Sequence, residues 1–496
     1  MQKMVFYKLS SFANRQAQKT TVAKQQTNLF VFLLFLLIAS FSYAGPIDSK
    51  MALQVAQSFM NQKVPNADKL IWLDPIHPAG YDQLWLFNCL PQGFVLVAAD
   101  DAVRPILAYS TDGQFQDKEM PAHIQSWIAG YAAEIRYLQS QHITAGSEAS
   151  REWDALVDDD PFPSYTAQSV APMLTTKWNQ SPYYNSLCPY SSRAHSRAVT
   201  GCVATAMSQI MRYWSHPNHG VGSHSYYCRD FGTQSADFEN TVYQWDMMPN
   251  MLTSSSTQAQ MEAVATLMYH CGVAVEMGYG VDASGAYTYS SSRYYPSVNW
   301  ALIDYFDYST DIQGHSKSEY TNSGWIQMLQ TELLALRPIL YSGSDENGGG
   351  GHAFVCDGFN TSNQFHFNWG WGGSCDGYYV VGQLNPGGNG IGGNSTYTFN
   401  IDNEAITHII PNSSQPGYRV SATVSDNNRG SVSGAGIYLE GDTVALLATA
   451  QQGYRFVEWT MDDQSFQNNP FLFIVEDNYN FEARFATIGS DTIQYD

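Results

Sequence analysis

Between residues 170 and 411 the hydrophobic period changes partway along the chain, and that change restricts the folds open to it. Apolar residues in 203–214 and in TQAQMEAVATLMYHC (257–271) recur at spacings of three and four, the period of an amphipathic helix. Farther on, RPILYSG, HAFVCDGF and QFHFNWGW read as strands punctuated by glycine. Helices first and strands later predict an α+β unit.

The flanking regions differ from it. Residues 45 to about 150 read as a smaller α+β unit, with a helical pattern in MALQVAQSFMNQ and strand-like runs in QLWLFNCL and GFVLVAADDAVRPILAYS. From Ala122 onward, Ile124, Trp127, Ile128, Tyr131, Ile135 and Leu138 form one apolar stripe, which requires a partner surface. The stretch Gly146 to Ala171, with DDDPFPS inside it, reads as an exposed linker open to nicking. After PNSSQPG the chain alternates apolar and polar residues with frequent turn signals, the mark of a small all-β module.

Composition narrows the function. The 45 acidic against 24 basic residues give a net charge of -21, which repels phosphate backbones, so nucleic acid is excluded as the expected partner. Lys3, Lys8, Arg15, Lys19 and Lys24 precede the apolar run LFVFLLFLLIASF, which is short for a membrane span. Ser42, Tyr43 and Ala44 supply a cleavage context, so export after a cut behind Ala44 is expected, with no stable membrane span remaining; the long basic leader leaves a downstream start at Met4 or an uncleaved anchor as the competing readings. Seven cysteines are too few for a dense disulfide framework and leave at least one thiol unpaired.

Cys202 follows Thr200 and Gly201 and opens the helical pattern of TGCVATAMSQIMRYW, where free N–H groups and the macrodipole favour a thiolate. A structural cysteine fits that position too, and the other residues must decide. His352 stands where a glycine-rich loop meets the apolar strand of GGGGHAFVCDGF, a rigid mount for a base that titrates near neutrality. Asn368 in FHFNWGWGG follows after 368 − 352 = 16 residues, enough for a turn and a return strand, and its side-chain oxygen suits the role of orienting an imidazole. Trp369 beside it is placed to shield that bond from water. Gln180 in TTKWNQ, 202 − 180 = 22 residues before the cysteine, offers an amide for an oxyanion together with the Cys202 N–H.

In these contexts the set Gln180, Cys202, His352, Asn368 and Trp369 resembles the streptopain family of papain-like cysteine peptidases, which includes interpain-type enzymes. The separation 352 − 202 = 150 lies at the upper end of the roughly 130–150 residues between nucleophile and base in papain-like chains. The resemblance implies a two-subdomain papain-like fold, Cys202 as nucleophile, His352 as general base and acid, Asn368 as orienting residue, Gln180 as oxyanion donor and Trp369 as shield. It also makes the N-terminal unit an inhibitory propeptide, removed by a cut between Asp158 and Val170, and it implies protein or peptide substrates with an apolar residue next but one before the scissile bond. The C-terminal segment resembles internalin-type β-repeat modules.

The expected domains are therefore a signal peptide (1–44), a propeptide with activation linker (45–169), a papain-like peptidase (170–411) and a β-sandwich-like module with tail (412–496). No cofactor is expected. His216, His219, His224 and Cys228 cluster within 13 residues, but no second ligand pair at zinc spacing accompanies them, so no metal is assigned. A different class of function, an inactive papain-like protein that binds or adheres through its C-terminal module, is opposed by the completeness of the site set.

Overall fold

The computed structural model describes residues 45–64, 67–118, 120, 122–166, 168–344, 351–382, 403–412, 418–425, 429–438, 443–451, 453–461 and 464–488. The expected signal segment and most of the glycine-rich loop before His352 lie outside them.

Asp48 opens helix α1 (Ser49–Asn61) by accepting the Met51 N–H at 2.8 Å, the usual remedy for the unpaired amides of a first turn. Strands β1 (Ile71–Trp72), β2 (Leu84–Leu90), β3 (Phe94–Ala98) and β4 (Ile106–Ser110) then run as an antiparallel meander. Helix α2 (Ala122–Ser140) follows, and all six residues of its expected stripe are buried. The linker begins later than the composition indicates, because Ser147–Val157 forms helix α3, with Ala149, Glu152, Trp153 and Leu156 turned inward. Trp153 Nε1 donates to Val103 O at 2.7 Å. Irregular, largely exposed chain begins at Asp158.

The larger unit contributes a short hairpin, β5 (Tyr190–Ser191) and β6 (Ser196–Arg197), then helix α4 (Cys202–Trp214) and the hairpin β7 (Ser223–Cys228) and β8 (Gly232–Asp237). Helix α5 (Gln258–Ala274), begun by a reciprocal Thr257–Gln260 capping box, and α6 (Val298–Tyr305) complete the helical side. Strand β9 (Gln313–Ser316) and helix α7 (Asn322–Leu334) lead into β10 (Ile339–Ser344), β11 (Gly351–Phe359), β12 (Gln364–Asn368), β13 (Gly377–Val380) and β14 (Glu404–Thr407).

The two units share one sheet of ten strands, ordered β1-β2-β3-β4-β13-β12-β11-β10-β14-β9. Its junction is antiparallel, with Tyr109 opposite Tyr378 and Ala108 opposite Tyr379. Since directly opposed residues share a face, Tyr109 and Tyr378 lie on one side and Ala108 and Tyr379 on the other. The first side meets α1 through Phe59, 4.8 Å from the Tyr109 ring, and meets α4 farther along, where Ala353, Val355 and Leu340 join the core of Val203, Met207 and Ile210. The second side is aromatic: Tyr341, Phe354, Phe367, Trp369 and Tyr379 are all buried there. Helix α2 covers it. Trp127 meets Phe367 at 5.2 Å and Trp369 at 6.0 Å, both edge-on, and the Tyr131 hydroxyl donates to Val380 O at 2.7 Å. The stripe's missing partner is therefore the sheet of the larger unit.

The C-terminal segment forms two further sheets from β15 (Tyr418–Val424), β16 (Gly430–Ser433), β17 (Gly436–Tyr438), β18 (Thr443–Ala450), β19 (Tyr454–Met461), β20 (Gln464–Phe466), β21 (Phe471–Ile474) and β22 (Tyr479–Thr487). The five-stranded sheet runs β17-β15-β22-β19-β20 and the three-stranded one β16-β18-β21. Val420, Leu446, Trp459 and Phe481 are at the centre of their shared core. The first and last of these strands pair in parallel, which closes the module on itself.

Candidate active site

Helix α4 starts at Cys202 because Gly201 permits the turn into it. Gly201 has φ +85°, and a Cβ there would stand 2.9 Å from Ser284 O, so both backbone angle and space require glycine. Cys202 is only 7% exposed. Its sulfur accepts a hydrogen bond from the Ala353 N–H at 3.4 Å. That donor is available because β12 ends at Asn368, opposite Val355, so the ladder on this side of β11 stops before Ala353. The sulfur takes the place of the absent strand.

Burial pushes the Cys202 thiol above its ordinary value, and the amides of Ala353, Val203 and Cys202 itself, which favour the thiolate, do not offset it. The expected lowering by the helix start is thus present in kind but outweighed.

His352 is the residue next to Ala353 on β11 and stands opposite Gly343 of β10. Helix start and strand therefore bring Cys202 and His352 to neighbouring positions across 150 residues of chain. Strand alternation puts His352 on the aromatic side with Phe354, whereas Ala353 faces α4. Gln180 is also brought in. Its carbonyl accepts from the Thr200 N–H at 3.3 Å, and Thr200 Oγ1 lies 3.0 Å from Thr205 Oγ1, so the Gln180 segment is tied to the turn that carries the sulfur.

Asn368 is held on the helix side of the sheet. Its register opposite Val355 turns it toward α4, away from the face of His352. There its Oδ1 accepts from Gln209 Nε2 at 2.9 Å and from the Gly370 N–H at 3.1 Å, while its Nδ2 donates to Thr176 O at 2.7 Å. Both lone pairs of that oxygen are in use in this form. Asn368 anchors the end of β12 to the helix. Trp369, one residue on, is fully buried on the histidine's side, its ring 4.4 Å from that of Phe354, and its N–H donates to Asp376 Oδ1 at 2.8 Å.

Residues that the sequence left unassigned complete the surroundings. Gln209, two turns beyond Cys202, is a polar residue on a buried helix face, a signal that was available and unused. His366 Nδ1 and Asp357 Oδ1 are 2.6 Å apart, and Asp357 Oδ2 accepts the Leu174 N–H at 2.8 Å. Burial opposes the charged form of His366, but the adjoining Asp357 outweighs it and holds the imidazole above its ordinary value. Burial also pushes Asp376 up to about 7. The grouped histidines do not converge: His216 bonds Asp307 O, His224 meets Glu276, and Cys228 is buried at its hairpin.

The N-terminal unit reaches this region through the loop after β4. Asp112 pairs with Lys177 at 3.0 Å, and Gln114 O accepts the Cys375 N–H at 3.2 Å. A cleft of about 520 Å³ separates Gly113 and Gln114 on one wall from Asn179, Ser181 and Trp371 on the other. The N-terminal unit thus forms one wall of the space beside Gln180.

A helix that begins with cysteine, packed on a sheet whose adjoining strand carries histidine, is the architecture of papain-like cysteine peptidases. Residues 178–379 match the model of the Peptidase C10 family, and the chain belongs to that family. Residues 44–135 match the Spi protease inhibitor family and 420–489 the divergent InlB B-repeat domain. Among curated relatives, the thiol protease/hemagglutinin PrtT of Porphyromonas gingivalis is 32% identical over 414 residues, which cover 79% of this chain and 45% of that protein. Streptopain of Streptococcus pyogenes is 29% identical over 359 residues, 69% of this chain and 85% of its own. A solved fragment of prointerpain A from Prevotella intermedia superposes with a TM-score of 0.52 at 31% identity, covering 69% of this chain and 98% of that one.

Proposed function

We propose that the chain is the precursor of an exported cysteine endopeptidase, held inactive by its own N-terminal domain. The observation that carries this reading is the hydrogen bond from the Ala353 N–H to the Cys202 sulfur at 3.4 Å, which seats a helix-start thiol against the strand position next to His352. In the active form Cys202 transfers its proton to His352, and the thiolate attacks the peptide carbonyl. Gln180 and the Cys202 N–H hold the developing oxyanion, His352 returns the proton to the leaving amine, and water hydrolyses the thioester. Trp369 supplies an aromatic wall on the histidine's side. The substrates are proteins or peptides with an apolar residue next but one before the cut.

Latency is supported by two features of the precursor. The N-terminal domain extends the peptidase sheet and lines the space beside Gln180, and burial pushes the Cys202 thiol up, which favours its protonated form. The activating cut falls between Asp158 and Val170, where Asp158, Asp159, Asp160, Pro161 and Ser164 are exposed. Among the described residues no helix is long and apolar enough to cross a membrane. Export rests on the basic leader and apolar run before Ala44.

The test is labelling with a thiol-directed epoxide followed by mass mapping, beside a Cys202→Ala chain. Modification at Cys202 that tracks loss of hydrolysis, with Cys202→Ala staying at precursor size, is expected. Peptide hydrolysis by Cys202→Ala would end the assignment.

A further inference from the structure

The Cys202 helix, the Gln180 segment and the end of β12 are joined by one buried carboxamide. Gln209 is fully buried, seven residues and therefore about two turns along α4 from Cys202, on the same helical face. Its Oε1 accepts from Thr176 Oγ1 at 2.9 Å and from the Trp178 N–H at 3.3 Å, four and two residues before Gln180 respectively. Its Nε2 donates to Asn368 Oδ1 at 2.9 Å, next to Trp369, and Asn368 closes the ring by donating to Thr176 O at 2.7 Å. A connected polar network in a dry interior has few alternative arrangements, because breaking any member leaves a buried donor or acceptor unpaired.

We propose that Gln209 is a positioning residue for the reaction: by fixing Thr176 and Trp178 on α4, it sets where the Gln180 amide stands relative to the Cys202 sulfur. This rests on the reading of Cys202 as nucleophile and Gln180 as oxyanion donor. Two ties locate the Gln180 segment. Thr200 holds the Gln180 carbonyl from one end, and Gln209 holds the approach to it from the other. Without the second tie the segment keeps its place in the fold but loses the close tolerance that donation to a transition-state oxyanion demands. Gln209 touches neither substrate nor sulfur in this role, so its influence passes through the segments it ties, the approach to Gln180 foremost.

The test uses the full chain with a foreign protease recognition sequence placed in the exposed stretch after Asp158, so that conversion does not depend on the chain's own activity. Hydrolysis of a fluorogenic peptide gives kcat and KM, and iodoacetamide alkylation of Cys202 across pH reports the thiolate without needing oxyanion donors. Gln209→Leu should lower kcat about tenfold to a hundredfold, somewhat less than loss of a whole oxyanion donor, with KM and the alkylation profile unchanged. Gln209→Glu keeps an acceptor for Thr176 and Trp178 and should recover part of the loss. The pair Gln180→Ala/Gln209→Leu should be no slower than Gln180→Ala alone, since both changes remove one interaction. Multiplying losses in the pair, or alkylation falling in step with kcat, overturns the proposal. Should Gln209→Leu fail to fold, Thr176→Val removes one donor to Gln209 and should give a smaller kcat loss, again with alkylation unchanged; a change in alkylation there counts equally against it. Failure of the underlying reading looks different, because Cys202→Ala would then still hydrolyse the peptide.

Discussion

Replacing Trp127 by alanine should loosen the grip of the N-terminal domain on the peptidase. Among the described residues Trp127 lies edge-on to four rings of the larger unit, at 6.2 Å from Tyr341, 6.2 Å from Phe354, 5.2 Å from Phe367 and 6.0 Å from Trp369, against one ring of its own unit, Tyr131 at 6.3 Å. Four such pairs at the low end of about 0.5–1.5 kcal/mol each give about 2 kcal/mol, and the usual cost of about 3–5 kcal/mol for truncating a buried tryptophan sets the ceiling. With about 2–3 kcal/mol assigned to the interface, and about 1.4 kcal/mol per tenfold, the nicked complex should dissociate about 30 to 150 times more readily. The assay cuts the linker of wild-type and Trp127→Ala chains with a foreign protease, dilutes each in steps, and records the concentration at which half the peptide-hydrolysing activity is released. That concentration should rise for Trp127→Ala by the same factor. A value within about threefold of wild type, below about 0.7 kcal/mol, would show that the aromatic face does not carry the inhibition.

Asp376, pushed up to about 7 by burial, binds its proton more tightly folded than unfolded. The stability it contributes should therefore grow as pH falls from about 7 toward 4 and be lost as pH rises through 7. His366, also held above its ordinary value, acts in the same direction, its share being full below 6.5 and lost as pH rises above that. Thermal midpoints across this window should slope less in Asp376→Asn, and an unchanged slope would place the proton elsewhere. In the intact precursor, alkylation of Cys202 should keep climbing through the ordinary thiol range without a plateau, because burial pushes the thiol above its ordinary value. A plateau near neutrality, read by mass mapping of Cys202, would contradict a neutral buried thiol.

What could be read from the chain was local. The helix start at Cys202 and the stripe of α2 depend on residues a few positions apart, and both form as their spacing requires. What covers the stripe could not be read, since Tyr131 meets Val380 across 249 residues. Helix α3 was hidden by composition: acids and prolines after Val157 drew attention from Ala149, Glu152, Trp153 and Leu156, which are spaced for one face. Arg104 pairs there with Glu148 at 3.0 Å and Glu152 at 3.4 Å, a link that no local pattern announces. Asn368 shows what spacing leaves open. Sixteen residues suffice for a strand to return beside His352, but register decides the face, and the opposition of Asn368 to Val355 turns the amide toward Gln209. Six further cysteines besides Cys202, all buried free thiols, pack as small apolar groups.

The junction of β4 with β13 gives maturation a material consequence. Severing the linker and parting the halves turns an interior seam into two raw margins, one on the enzyme and one on the discarded piece, each with unsatisfied backbone groups ready to accept a stranger. Digesting the shed fragment would remove one of those margins for good and leave the liberated enzyme nothing to rejoin.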